Sequence, residues 1–101
     1  MSKAHRIEIT DNAQAHIAAA SAWWHENRPA APDAFLDELD RIFDLLLVEP
    51  AMGTLAINTR LAGVRRVTLS RVRYHVYYRL ADDAIQILAV WHTSRGQGPD
   101  L

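Results

Sequence analysis

"GVRRVTLSRVRYHVYYRLADDAIQILAVWHTSRG", residues 63–96, decides the fold. Three runs rich in β-branched and aromatic residues follow one another with only short polar breaks, which is a strand pattern. Residues 63–69, 72–80 and 84–92 are predicted strands, with Ser70-Arg71 and Asp82-Asp83 as the turns. Links that short join antiparallel neighbours, so a meander is expected. Alternation puts Val72, Tyr74, Val76, Tyr78 and Leu80 on one face of the middle strand. Arg73, His75, Tyr77 and Arg79 then share the opposite face. The last strand is apolar on both faces. Ile85, Ile87, Ala89 and Trp91 point one way, Leu88 and Val90 the other. Such a strand is normally covered on both sides, and a partner is the expected second cover. The run stops abruptly at His92-Thr93-Ser94-Arg95, and Gly96 breaks it.

Upstream, the period changes. Residues 5–9, His-Arg-Ile-Glu-Ile, alternate and suit a short first strand. Asp11 and Gln14 have capping-box spacing, and the alanine-rich segment 12–27 favours helix. Ala13, Ile17, Ala20 and Trp24 recur at helical spacing and form one stripe. Pro29-Ala30-Ala31-Pro32 breaks the helix, and Pro32 is suited to open the next one. Phe35, Leu39, Ile42 and Leu46 form its stripe, widened by Phe43 and Leu47. Pro50 and Gly53 end it. The predicted architecture is α+β in the order β-α-α-β-β-β, an antiparallel sheet packed against a two-helix hairpin, in one domain over residues 1–101. Residues 51–62 read as a loop.

Composition bounds the chemistry. The chain has 101 residues, half of them apolar, and no cysteine. That excludes a disulfide framework and a thiolate metal site. His16 and His25 are nine residues apart and share no helix face, so no metal is expected, and no cofactor. No Gly-rich phosphate loop or serine nucleophile elbow is present. The opening MSKAHRIEIT lacks the apolar run of a signal peptide, and no stretch nears the ~20 apolar residues of a membrane span. A soluble cytoplasmic protein without membrane contacts is the expectation. The net charge of −1 hides an asymmetry. Residues 1–58 hold four basic and nine acidic groups; residues 59–101 hold seven arginines and three aspartates. Arginine's planar fork suits anionic partners, so the later part is the expected binding half.

Taken in order, these features resemble the RelE/ParE superfamily of toxins from type II toxin–antitoxin modules. The resemblance rests on residues 63–80 and 85–96, on Trp24, Asn27 and Pro29, on Phe35, Leu39 and Leu46, and on Pro50 and Gly53. The ending His92-x-Ser94-Arg95 is similar to that of the ParE branch. The resemblance implies a cytoplasmic toxin held in a hetero-oligomer by a cognate antitoxin, with DNA gyrase as the target and no covalent chemistry of its own. On this reading Arg73, His75, Tyr77, Arg79, His92 and Arg95 meet the target, and Trp23, Leu36, Leu88 and Val90 meet the antitoxin. The alternative is a ribosome-dependent mRNA endonuclease of the RelE type, with Arg66, His75, His92 and Arg95 around the scissile phosphate. Against it, His75 stands where that branch has an arginine, and residues 97–101 hold no tyrosine or histidine for proton transfer. A third reading is an inactive relative that binds only its antitoxin.

Overall fold

The computed structural model describes residues 6–57 and 59–101. Two helices pack on one face of a five-stranded mixed sheet, as the α+β reading expects. The elements are β1 (Arg6–Ile9), α1 (Asp11–Asn27), α2 (Ala34–Val48), β2 (Thr54–Leu55), β3 (Arg65–Leu69), β4 (Tyr74–Ala81) and β5 (Ala84–His92). His5, placed by the sequence in the first strand, lies outside the described residues. The strand order is β1-β5-β4-β3-β2. Strands β2 to β5 are antiparallel to their neighbours, whereas β1 runs parallel to β5. The chain between these two parallel neighbours runs through both helices and then β2 to β4. Strand β2 adds a short rung inside the segment expected to be loop.

Both helix stripes are where their spacing places them. Ala13 and Ala20 of α1 and Phe35, Leu39, Ile42 and Leu46 of α2 are buried against Val76, Tyr78, Ile85, Ile87 and Val90 of the sheet. The start of α1 differs from the expectation. Thr10 is the N-cap, its hydroxyl accepting the Ala13 N–H at 3.1 Å, and Asp11 is the first helical residue. Pro32 lies in the link, ahead of the N-cap Asp33. Glu38 interrupts the apolar stripe of α2. Its carboxylate is only 5 % exposed and is met by Arg41 from the same helix and by Arg71 of the β3–β4 turn, 3.8 Å away.

The sheet departs from simple alternation at two points. The β3–β4 turn spans residues 70–73, longer than Ser70-Arg71, and Arg73 sits in it with φ 63°. The left-handed region is uncommon for a bulky residue and marks a real turn. The second departure is in β5. Tyr77 pairs with Ala89 and Tyr78 with Ile87, so Leu88 has no partner on β4. This bulge reverses the parity of β5. Before it, Ile85 and Ile87 face the helices. After it, Val90 faces them, while Leu88, Ala89 and Trp91 pack on the outer face with Val64 and Tyr77. Strict alternation places Leu88 correctly, opposite Ile85 and Ile87, but puts Ala89 and Trp91 with those isoleucines and Val90 with Leu88.

The second cover over β5 is the chain itself. Leu101 packs on the outer cluster of Val64, Tyr77, Leu88 and Ala89. Its carbonyl accepts the N–H groups of Arg60 and Leu61, at 2.9 and 3.2 Å, and Asp100 pairs with Arg60 at 2.6 Å.

One buried hydroxyl joins the sheet to the segment after α2. Tyr78 of β4 donates to the Pro50 carbonyl at 2.8 Å and accepts the Gly53 N–H at 2.9 Å. Arg65 donates to the Gly53 carbonyl at 2.6 Å. A Cβ on Gly53 would lie 2.7 Å from that hydroxyl and 2.8 Å from the Arg66 carbonyl oxygen. Glycine is therefore required there by close approach; helix α2 has already ended at Val48, with Glu49 as its C-cap, so Gly53 does not terminate it as the sequence reading expected. Tyr78→Phe leaves a buried N–H and a buried carbonyl unpaired, and should lower the unfolding free energy by about 1–3 kcal/mol in urea titrations. Gly53→Ala should be destabilising in the same assay.

Candidate functional site

A second face of α1 adjoins the core stripe and shares Ala20 with it. His16, Ala19, Ala20 and Trp23 recur at three, four and seven residues, so they form a second row along the helix. This row faces the end of β5 and the start of β4. Together with Tyr74, Val90, His92 and Arg95 it lines a groove of about 210 Å³. An adjoining hollow of about 270 Å³ is walled by Trp23, Tyr74 and His92. The two alanines leave the space, and the aromatic rings bound it.

Hydrogen bonds fix this corner. Beyond Ile9 the edge of β5 has no β1 partner, and α1 supplies side chains in its place. Thr10 Oγ1 and Asn12 Nδ2 donate to the Leu88 carbonyl at 3.4 and 3.3 Å. The Val90 N–H donates to His16 Nδ1 at 3.1 Å, so the neutral imidazole carries its proton on Nε2. His16 also meets Trp91 edge-on at 5.4 Å. His92 meets Tyr74 edge-on at 4.9 Å, and its Nδ1 accepts the Ser94 N–H at 3.1 Å. Arg95 N–H donates to the His92 carbonyl at 3.2 Å. That tight turn brings the Arg95 guanidinium back to 4.0 Å from the Trp91 ring centre, a cation–π geometry. Trp91 Nε1 in turn donates to the Gln97 carbonyl at 2.8 Å. The abrupt polarity at 92–95 is therefore a turn that aims one arginine. Among the described residues that arginine has no carboxylate partner.

The outer face holds a second cluster. Cross-strand pairing sets Arg66 opposite Tyr77 and Thr68 opposite His75. The Thr68 hydroxyl and His75 Nδ1 are 2.9 Å apart. Arg66 and Tyr77 line a cleft of about 440 Å³ with Leu55, Ala56, Ile57, Thr59, Gly98 and Pro99. Tyr77 is buried in it, and Gly98 lies against the Tyr77 hydroxyl.

The residues singled out from sequence are thus divided. His75 and Tyr77 share the outer face, and Arg79 follows at its far end, donating to Gln86 Oε1 at 2.8 Å. Arg73 lies in the β3–β4 turn and does not join them. The bulge carries His92 to the helix side, where Arg95 also lines the groove. The six proposed target contacts therefore form no single surface. The nuclease set is also divided: Arg66 and His75 are outside and His92 is on the helix side, while Arg95, at the end of the strand, lies over Trp91 and lines the groove. Of the proposed antitoxin contacts, Trp23 is 44 % exposed on the groove wall and Leu36 is 38 % exposed beside a different groove. Leu88 and Val90 are buried within the chain. Sequence reasoning missed His16, Ala19 and Tyr74 as groove residues. The spacing of His16, Ala19, Ala20 and Trp23 was the available signal.

Burial, and then the Arg95 charge, lower the His16 pKa below the usual 6.5. Burial and Arg66 act the same way on His75. The unfolded chain therefore takes up protons first as the pH falls below about 6.5, so folding stability declines from there downward and is unaffected by these groups above it. His16→Gln should flatten that decline, read as a shallower dependence of the urea midpoint on pH.

No helix among the described residues is long and apolar enough to cross a membrane, and no three potential metal ligands come together among them. No curated protein matches the chain in sequence. Among solved structures, a chain from the "Chromosomal ParDE TA system from P. aeruginosa" has a similar fold, with a TM-score of 0.69 at 20 % identity, covering 88 % of this chain and 96 % of that one. The sequence profile described as "ParE toxin of type II toxin-antitoxin system, parDE" matches residues 7–96, spanning the strands, the helical hairpin and the Arg95 turn, and the chain accordingly belongs to the ParE toxin family.

Proposed function

We propose that this chain is a cytoplasmic toxin that inhibits DNA gyrase by binding it, is neutralised in a hetero-oligomer with a cognate antitoxin, and performs no covalent chemistry. The observation that carries the reading is the Arg95 turn. It holds a guanidinium over Trp91 without a carboxylate partner among the described residues, at the mouth of an aromatic groove. Such a group is preorganised for an anionic or polar contact on a macromolecule. The division of His75 and Arg66 from His92, across the sheet, favours binding over phosphodiester cleavage. General acid–base chemistry needs its groups within hydrogen-bond reach of one reacting centre. Family membership and the fold likeness to a chain from a ParDE system support an antitoxin as the partner.

In a supercoiling assay the purified chain should inhibit gyrase, and Arg95→Ala should weaken inhibition by about tenfold, the scale of a lost charged contact. Unimpaired supercoiling at high toxin concentration removes gyrase as the target. The nuclease alternative keeps one supporting observation, the Arg66–Thr68–His75–Tyr77 cluster on the outer face. Primer extension on cellular mRNA during expression separates the two: codon-linked cuts that vanish in His75→Ala would establish the enzyme. Normal growth during expression without antitoxin would support an inactive relative.

A further inference from the structure

We infer that the groove between α1 and the end of β5 is a peptide notch, which takes one apolar side chain and an adjoining carboxylate from an acidic segment of the antitoxin. The identity of the occupant rests on the toxin–antitoxin reading above. The chemistry of the notch does not.

Its shape selects a side chain. The floor is Ala19, Ala20 and Val90, and the walls are the rings of Trp23, Tyr74 and His92. Apolar burial on such a floor is worth roughly 25 cal/mol per Å² removed from water, which rewards a branched or aromatic insert.

Its charge selects an acidic neighbour. Arg95 stands at the rim, and the Arg28 guanidinium lies 5.1 Å from the centre of the Trp23 ring. No aspartate or glutamate lines the notch. The contrast is with the other side of α1. There an apolar hollow of about 360 Å³ between the helices, which includes Leu36 and Phe43, has Asp37 and Asp40 in its lining. The two hollows are alike in being apolar and opposite in the sign of their rims. An acidic segment is therefore directed to the Trp23 side and repelled from the Leu36 side. A nucleic acid fits less well. A phosphate backbone is tracked by successive cations along a groove, whereas this floor is apolar and its permanent charges stand apart from it.

An occupant of the notch would cover Arg95, so antitoxin binding and target binding compete for one guanidinium. Arg95, which the sequence reading assigned to the target alone, would then serve both partners.

The test is an NMR titration of the isotope-labelled full chain with three probes: acetyl-Glu-Phe-Glu-amide, acetyl-Lys-Phe-Lys-amide and the dinucleotide pApA. The acidic peptide should give saturable shifts at the Trp23 indole N–H, the Ala19 and Ala20 methyls and the His92 ring. The lysine peptide should bind at least about fivefold more weakly, as expected for one partly screened charge pair. Arg95→Gln, at an exposed position, should lose that preference while keeping the folded spectrum, and Trp23→Ala should remove saturable binding. Equal affinity for the acidic and basic peptides, no saturable shift, or binding of pApA in preference would overturn the notch. Growth arrest on expression reads the toxin assignment separately. A chain that arrests growth yet ignores the acidic peptide refutes the notch alone.

Discussion

One unpaired residue in the last strand, Leu88, governs which side of the sheet carries what. Without it, period-two alternation would turn Val90 and His92 to the outer face and Ala89 and Trp91 under the helices. With it, Ile85, Ile87 and Val90 all reach the helical core, and Leu88 and Ala89 lie together on the far side. The bulge is held from outside the sheet. Its carbonyl is taken by Thr10 and Asn12 at the start of α1, where the pairing of β1 with β5 runs out. Helix entry and strand parity are thus one event, and the groove at His92 depends on both.

The two faces of the sheet are completed by different means. The helical face is filled by the stripes of α1 and α2 and tied to the segment after α2 by the Tyr78 hydroxyl. The outer face is filled by Leu101 and the loop around Val64, latched through Arg60. A basic surface read from alternation is in this way partly converted into interior. Tyr77 is buried there, and Arg79 is engaged by Gln86. What remains open is a corner of α1 where alanines leave a hollow between aromatic rings.

Much of this was legible from residue order. Helical spacing located both stripes, and the short polar links located the meander, with the 84–92 strand at its observed bounds and the turn before β4 two residues too short. The parallel place of the first strand was not legible, because nothing in a four-residue strand distinguishes its neighbour. Nor was the bulge, since Leu88 and Ala89 are both apolar and either register buries apolar groups. The cover from Leu101 was hidden because a lone leucine after a glycine- and proline-containing stretch gives no periodic signal. For the site, the arginine turn at 92–95 was visible as an abrupt polarity change, but its side of the sheet followed from the bulge. The row from His16 to Trp23 was overlooked because the adjacent core stripe shares Ala20 with it and accounts for the helix by itself.

An open strand edge presents free N–H and carbonyl groups to which another chain can add. Along β5 beyond Ile87 those groups are answered by side chains: the Leu88 carbonyl by Thr10 and Asn12, the Val90 N–H by the His16 ring. An imidazole there stands in for a neighbouring strand. The sheet stops growing at that margin without a proline or a lysine to guard it, and a small, apolar, two-sided strand is kept from zipping onto its own copies.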